Sequence, residues 1–260
     1  MHFLKSRLFS SLGLAAGAAL LTGFSGAFVT SGVLAQSIPS QWSNANFTPP
    51  ANLGAPDRTQ AGGTRNGGGL ELAALVPDSN FGVTAADNTS VFIYLPSARD
   101  VSQMRELKFE LVDESDRVVH EADYQVSGGE GILRLVIPET NEEGEDLLVE
   151  GQNYYWIVTM YDETDETLAL ESWIRRVSVS EELTAQLSGK SAREQARILA
   201  DRSIWYGALN QLALAYQENP QDEAIAQDWQ KLLKAAGLGS FSRLSANAFL
   251  VPETVTSNVF

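Results

Sequence analysis

Nucleophilic catalysis needs a serine, threonine or cysteine beside a base that a third group orients. This 260-residue chain is poor in those parts, with no cysteine and two histidines, His2 and His120. His2 falls in an N-terminal segment that reads as a removable signal. His120 sits in Val118-Val119-His120-Glu121-Ala122, facing away from Val119 on a strand, which is the position of a surface or rim residue. No Gly-x-Ser-x-Gly elbow occurs. Metal sites built from His and Cys fail on count. Calcium would take clustered carboxylates, and three acidic runs offer them: Asp113 to Asp116, Glu142 to Asp146 and Asp162 to Glu166. None has the alternating acidic loop with a closing glutamate, so they read as solvated turns. Two carboxylates held ~5–10 Å apart can hydrolyse a glycosidic bond, but no pair among so many acids is singled out. No catalytic residue, cofactor-binding residue or metal ligand is therefore assigned.

What remains is chemistry suited to recognition. Basic residues are outnumbered by acidic ones, 18 to 33, yet Arg175 and Arg176 lie beside Trp173 on a late strand, and Trp and Arg are enriched at interface hot spots. Trp205, next to Tyr206 at the start of a helix, is a further candidate. Trp173, Arg175, Arg176 and Trp205 are the partner-binding candidates. The competing reading puts Trp173 in the core, pairs the arginines with nearby carboxylates, and makes Trp205 and Tyr206 a seam between helices and strands.

The elements that must position these residues change character along the chain. From Leu70 to Val179 the hydrophobic period is two, as in Leu107, Phe109 and Leu111 alternating with Lys108 and Glu110. Strands are expected at Leu70–Val76, Ser90–Leu95, Glu106–Val112, Arg117–Tyr124, Gly131–Ile137, Gln152–Tyr161 and Thr167–Val179. The runs Asp113–Asp116 and Asp162–Glu166 read as hairpin turns. About seven short strands with such turns suggest two packed antiparallel sheets. Leu148 to Tyr154 resembles a tyrosine corner, in which a tyrosine hydroxyl bonds back across a glycine turn. The expected class is mainly β with α: an immunoglobulin-like antiparallel β-sandwich followed by a short helical segment.

After Ser180 the period becomes helical. A short helix precedes Gly189; Ser191 and Glu194 form a capping box for a helix reaching about Arg202. A helix over Ser203–Glu218 stops at Asn219-Pro220, and another runs from Asp222 to Ala236 and ends at Gly237. Ala208, Leu212, Ala215 and Pro220 are spaced as in the second helix of a tetratricopeptide unit. One and a half repeats at most are present, so this hairpin is expected to pack on the sandwich.

Met1 to Ala35 reads as a cleaved signal peptide: Lys5 and Arg7 precede an uncharged apolar or small stretch, with small residues before Gln36. An uncleaved N-terminal anchor is the alternative. The mature chain has no other segment able to span a membrane, and without cysteine it is no lipoprotein. Export to a periplasm or beyond follows. Residues 36–68 are a Pro-, Gly- and Asn-rich lead-in with Trp42 and Phe47 as its only large apolar groups. Residues 69–180 form the sandwich and 181–238 the helical segment packed on it. Residues 239–260 are a polar tail, unstructured or loosely docked. The collar Gly62 to Gly69 lacks the Lys-Ser/Thr of a phosphate loop and leads into a strand, so it reads as a pliant entry to the fold. With 18 basic and 33 acidic residues, a formal charge of −15, the chain repels nucleic acid and anionic lipid.

Taken in order, GGTRNGGG, LELAALVP, FGVTAADNTSVFIYLP, GILRLVIP, GQNYYWIVTMYD, ESWIRRV and IWYGALNQLALAYQENPQDEAIAQDWQKLLKAAGL resemble the cyanobacterial family called Domain of Unknown Function 928, from about Gly62 to Leu238. Cysteines of the family pattern, near the collar and after the Trp-bearing strand, are absent here, so no disulfide carries over. The resemblance implies an exported cyanobacterial protein and supplies no reaction or catalytic residue. The function expected is that of a non-enzymatic envelope protein, a structural module or one that binds another envelope protein. The alternative is a polysaccharide-binding or carbohydrate-active envelope protein.

Overall fold

The computed structural model describes residues 72–86, 89–96, 105–126, 129–161, 167–243, 249–250 and 253–254, all within one compact unit, Ile38–Phe260. The expected signal peptide (Met1 to Ala35), the expected lead-in with Trp42 and Phe47, the glycine collar and the run Asp162–Glu166 lie outside the described residues. The fold is mixed, with strands first and helices after. The strands are β1 (Ala73–Ala74), β2 (Phe81–Thr84), β3 (Thr89–Leu95), β4 (Arg105–Asp113), β5 (Val118–Val126), β6 (Gly131–Ile137), β7 (Asn153–Tyr161), β8 (Thr167–Arg176), β9 (Phe249–Leu250) and β10 (Glu253–Thr254). The helices are α1 (Glu181–Leu187), α2 (Ala192–Asp201), α3 (Trp205–Glu218) and α4 (Glu223–Ala235).

Two sheets result, ordered β1-β3-β6-β9 and β10-β5-β4-β7-β8-β2. In the larger sheet, β5, β4, β7 and β8 pair antiparallel in that order, and β2 joins β8 in parallel. Alternation sorts the side chains. Leu107, Phe109 and Leu111 of β4, with Tyr154, Trp156 and Val158 of β7, are buried in one core with Val91, Ile93 and Leu95 of β3. β3 is buried along its whole length, because its second face lies under the helices. Phe92 meets Trp229 of α4 edge-on, and Tyr94 meets Phe241.

The local signals for the helices act as capping chemistry predicts. Ser180 caps α1, Asp222 caps α4, and Ser191 with Glu194 closes a full capping box on α2, each cap worth about 1 kcal/mol. Gly237 takes the left-handed φ of +83° that ends α4, with the Asp78 carboxylate against its Cα. The hairpin at Asp113 is an Asx turn: its Oδ1 accepts from the backbone N–H of Ser115 and of Arg117. Tyr154 Oη accepts from Val149 N–H at 3.1 Å, across the turn at Gly151.

The helices join the strands through the first turn of α3, which has no side-chain cap and is buried from Trp205 onward. Trp205 Nε1 donates to Leu75 O at 3.0 Å. Tyr206 Oη accepts from Trp156 Nε1 at 2.9 Å and donates to Trp173 O at 3.3 Å. Its ring lies on Gly82 of β2, where any Cβ would enter it.

Three features differ from the sequence expectations. β2 was not anticipated: four residues containing a glycine carry no readable period, and their partner strand is far along the chain. β8 ends at Arg176, not at Val179, just where its parallel partner β2 ends at Thr84. The tail is more ordered than expected. Gly239–Arg243 forms a 3-10 turn, β9 pairs with β6 in parallel, and β10 pairs with β5 antiparallel.

Candidate interaction face

The four candidates do not converge on one place. Trp205 is 0 % exposed and bonded to the Leu75 carbonyl; its type signalled the helix seam. Arg176 turns toward the side of β8 that carries Ile174. There its Nη1 donates to Asp146 Oδ2 and to Leu148 O, both at 3.1 Å, which ties the β6–β7 loop to the end of β8.

Trp173 and Arg175 share the other face of β8, outward from the core. Register places Trp173 beside Tyr155, and Arg175 beside Asn153. The rings of Tyr155 and Trp173 are tilted by 49° with centroids 5.3 Å apart, an arrangement favoured by the ring quadrupoles. Tyr155 Oη donates to Asp116 Oδ1 at 2.7 Å. Arg175 Nε donates to Asn153 Oδ1 at 2.8 Å, and Asn153 Nδ2 donates to Glu114 Oε1 at 2.6 Å. A polar relay therefore runs from β8 across β7 to the Asp113 turn. Arg175 makes no ion pair with a described residue, and among the described residues its side-chain bond runs from Nε.

Tyr155, Asn153, Glu114 and Asp116 were not among the partner-binding candidates, though Glu114 and Asp116 belong to an acidic run weighed for calcium. Period two in β7 separates Asn153 and Tyr155 from Tyr154 and Trp156. Only the pairing of β7 with β8 and β4 shows which residues they meet.

His120 is half-buried on the core side of β5, its ring centroid 6.2 Å from that of Phe109. Burial pushes its pKa down, against a smaller upward pull from Glu121. No described hydroxyl bonds to it. No three His, Asp or Glu among the described residues are placed to hold a metal ion. The Asp113 carboxylate is held low by the Arg117 and Ser115 backbone N–H groups and the Arg117 guanidinium. In the Glu142–Asp146 turn, Asn141 Oδ1 accepts from Glu145 N–H, and its Nδ2 donates to Glu145 Oε2. No described helix is long and apolar enough to cross a membrane.

No curated protein matches the chain. Among solved structures, a β-glucuronidase from Parabacteroides merdae is 12% identical over 40% of this chain and 13% of its own, with a TM-score of 0.23. The chain thus spans a small part of that enzyme, and the likeness carries no argument. The model of the family described as Domain of Unknown Function (DUF928) matches residues 56–245. On that match, which takes in every described helix and β1 to β8, the chain belongs to the DUF928 family.

Proposed function

We propose that this chain is an exported, non-catalytic module that binds another envelope protein through the outer face of β7 and β8. One observation carries the reading: a tilted Tyr155–Trp173 pair beside Arg175, a guanidinium with no carboxylate partner among the described residues of a chain rich in acids. The half-buried Trp173, backed by the buried Tyr155, supplies apolar area, and the terminal guanidinium nitrogens fit a carboxylate in the bidentate geometry typical of interface anchors. The larger sheet's outer face suits this role because the helices pack on β3 and on the core side of β2, at Gly82, instead.

The strand order supports an immunoglobulin-like sandwich with a helical hairpin of tetratricopeptide type docked against β2 and β3. The Tyr154–Val149 bond is of the kind found at the tyrosine corner of such sandwiches. Cleavage of Met1 to Ala35 as a signal peptide accompanies this reading.

The test is crosslinking in the native envelope, comparing the wild type with Trp173→Ala/Arg175→Glu. A partner lost from the variant is the expected result; the same partners at the same yield would overturn it. A polysaccharide is the second reading, favoured by the aromatic pair lying beside the Asn153 and Arg175 donors. A glycan array with Trp173→Ala as control separates the two.

A further inference from the structure

We propose that the edge of β5 from Val118 to Asp123, which no described strand covers on the side away from β4, is a docking site for an extended, lysine- or arginine-bearing segment of another protein, which adds as a strand and displaces the chain's own β10. β5 has nine residues, and β10 pairs with only two of them, Gln125 and Tyr124. From Val118 to Asp123 the only described pairing of the strand is with β4, on its other side. Such an edge is a template for a further strand.

The side chains along this edge define what fits. Glu121 and Asp123 lie on the outer face, across from Glu110 and Lys108. There Glu106, Glu110, Glu121 and Asp123 surround a single Lys108, which contacts Glu110 at 3.4 Å and Glu121 at 3.2 Å. On the opposite face His120, Ala122 and Tyr124 lead to the core beside Phe109 and Leu107. An added strand would meet carboxylates at alternate positions and an apolar rim between them. It should therefore alternate basic and apolar residues.

The resident strand matches this edge poorly. β10 sets Glu253, an exposed acid, across from Gln125, on the same face as Asp123 and Glu121. Like charges on one face of a ladder oppose pairing, and opposite charges stabilise it by about 0.2–1 kcal/mol per pair. β10 is a placeholder that a basic strand outcompetes. The same carboxylates hold two copies of this acidic chain apart.

This site lies across the sheet from Trp173 and Arg175 and rests on the proposed function only in taking a protein as partner. The test uses a fluorescent Val-Lys-Val-Lys-Val-Lys-Val-Lys-Val peptide, with its glutamate counterpart as control. The lysine peptide should bind the full chain, slow hydrogen exchange at the amides of residues 119–123, and weaken in 0.5 M salt. Glu121→Lys/Asp123→Lys should weaken it about tenfold, the scale of two exposed pairs. Glu253→Lys should also weaken it, several-fold, by making the resident strand a better match. A chain ending at residue 248, with its fold checked by melting, should bind several-fold tighter. Binding that ignores Glu253→Lys, or protection outside β5, would overturn the proposal even if the double variant failed to fold. Loss of the crosslinked partner in Trp173→Ala/Arg175→Glu with peptide binding intact would support the outer-face reading and leave this site standing. Intact crosslinking that depends on Trp173 and Arg175, without peptide binding, would overturn this site alone.

Discussion

Replacing Tyr206 by phenylalanine removes one oxygen from the join between helices and strands while leaving the ring on Gly82. Trp156 Nε1 then loses its acceptor at 2.9 Å in a site where both residues are 0 % exposed. An orphaned buried donor costs about 1–3 kcal/mol. The longer 3.3 Å bond to the Trp173 carbonyl adds a fraction of the ~1 kcal/mol of an ordinary hydrogen bond. The expected loss is about 2–3 kcal/mol at pH 8, or about 5–10 °C in Tm for a domain of this size. A second signature separates this from general damage. Burial pushes the Tyr206 hydroxyl up to about 12, against a smaller opposite pull from Trp156 and Ser172. In the unfolded chain the same hydroxyl ionises near pH ~10. Its contribution is therefore complete below pH ~10 and is lost as pH rises toward the folded value, for a total of about 3 kcal/mol. Urea unfolding followed by tryptophan fluorescence should show the wild type ahead of Tyr206→Phe at pH 8 and the gap closing by pH ~12. Other tyrosines are common to both proteins and cancel in the difference. Curves that stay parallel from pH 8 to 12 would refute the argument, as would equal midpoints at pH 8.

Two further outcomes follow from charges placed inside the fold. Asp228 of α4 is 0 % exposed and its Oδ2 accepts from Arg193 Nε at 2.6 Å and Arg197 Nη2 at 2.8 Å; Asp228→Ala should cost about 3–5 kcal/mol by leaving two half-buried guanidiniums unpaired, read as the shift in urea midpoint, and Asp228→Asn less. His120, whose pKa is lowered by burial, favours the folded state above its unfolded value near ~6.5 and loses that preference as pH falls through its folded value; His120→Gln should flatten the acid side of the stability–pH curve, and an unchanged slope would count against the burial argument.

The parts of the fold legible in the sequence are those whose signal is local. The Ser191–Glu194 box, the Gly237 stop and the Asp113 turn each rest on contacts within four residues. The Val149–Tyr154 bond spans five, which is why Leu148 to Tyr154 could be read directly. β2 was invisible because its pairing joins Phe81 to Trp173, and loop closure across such a span leaves no periodic trace. β9 and β10 were missed because two residues cannot show a period. At the candidate face, residue type alone selected Trp173, Arg175, Arg176 and Trp205 alike. Strand parity separates Arg175 from Arg176, but knowing which side is outward required the sheet. Trp205 looked like an anchor because an indole serves equally well in a core seam, where Leu75 O satisfies its N–H.

The distribution of unpaired charge gives the strongest reason to look for binding on the larger sheet. Arg134 and Arg175 are the half-buried arginines that form no ion pair with a described residue. Arg134 lies on the face of β6 that shares a register row with Phe92. Its Nε donates to the buried Ser90 hydroxyl at 3.0 Å, and desolvation lowers its pKa; it is a cation held by the packing around the smaller sheet. Arg175 instead stands beside an aromatic pair, and its hydrogen bonds reach a described acid, Glu114, through Asn153. In a chain this acidic, carboxylates are abundant enough to neutralise every arginine, and Arg117, Arg176, Arg193, Arg197 and Arg202 all have one. A guanidinium left with an amide where carboxylates are plentiful is poised for one from outside. At the far side of the same sheet, four carboxylates around Lys108 ask for the opposite charge. Strands spaced ~4.8 Å apart put β5 and β8 roughly 15 Å from one another, within the footprint of a single partner about 800 Å² in area. A partner that offered an acid to Arg175 and a base to Glu121 would be fixed in orientation by the sheet itself. Its affinity should fall with added salt at both ends, since each contact lies near solvent and within reach of screening.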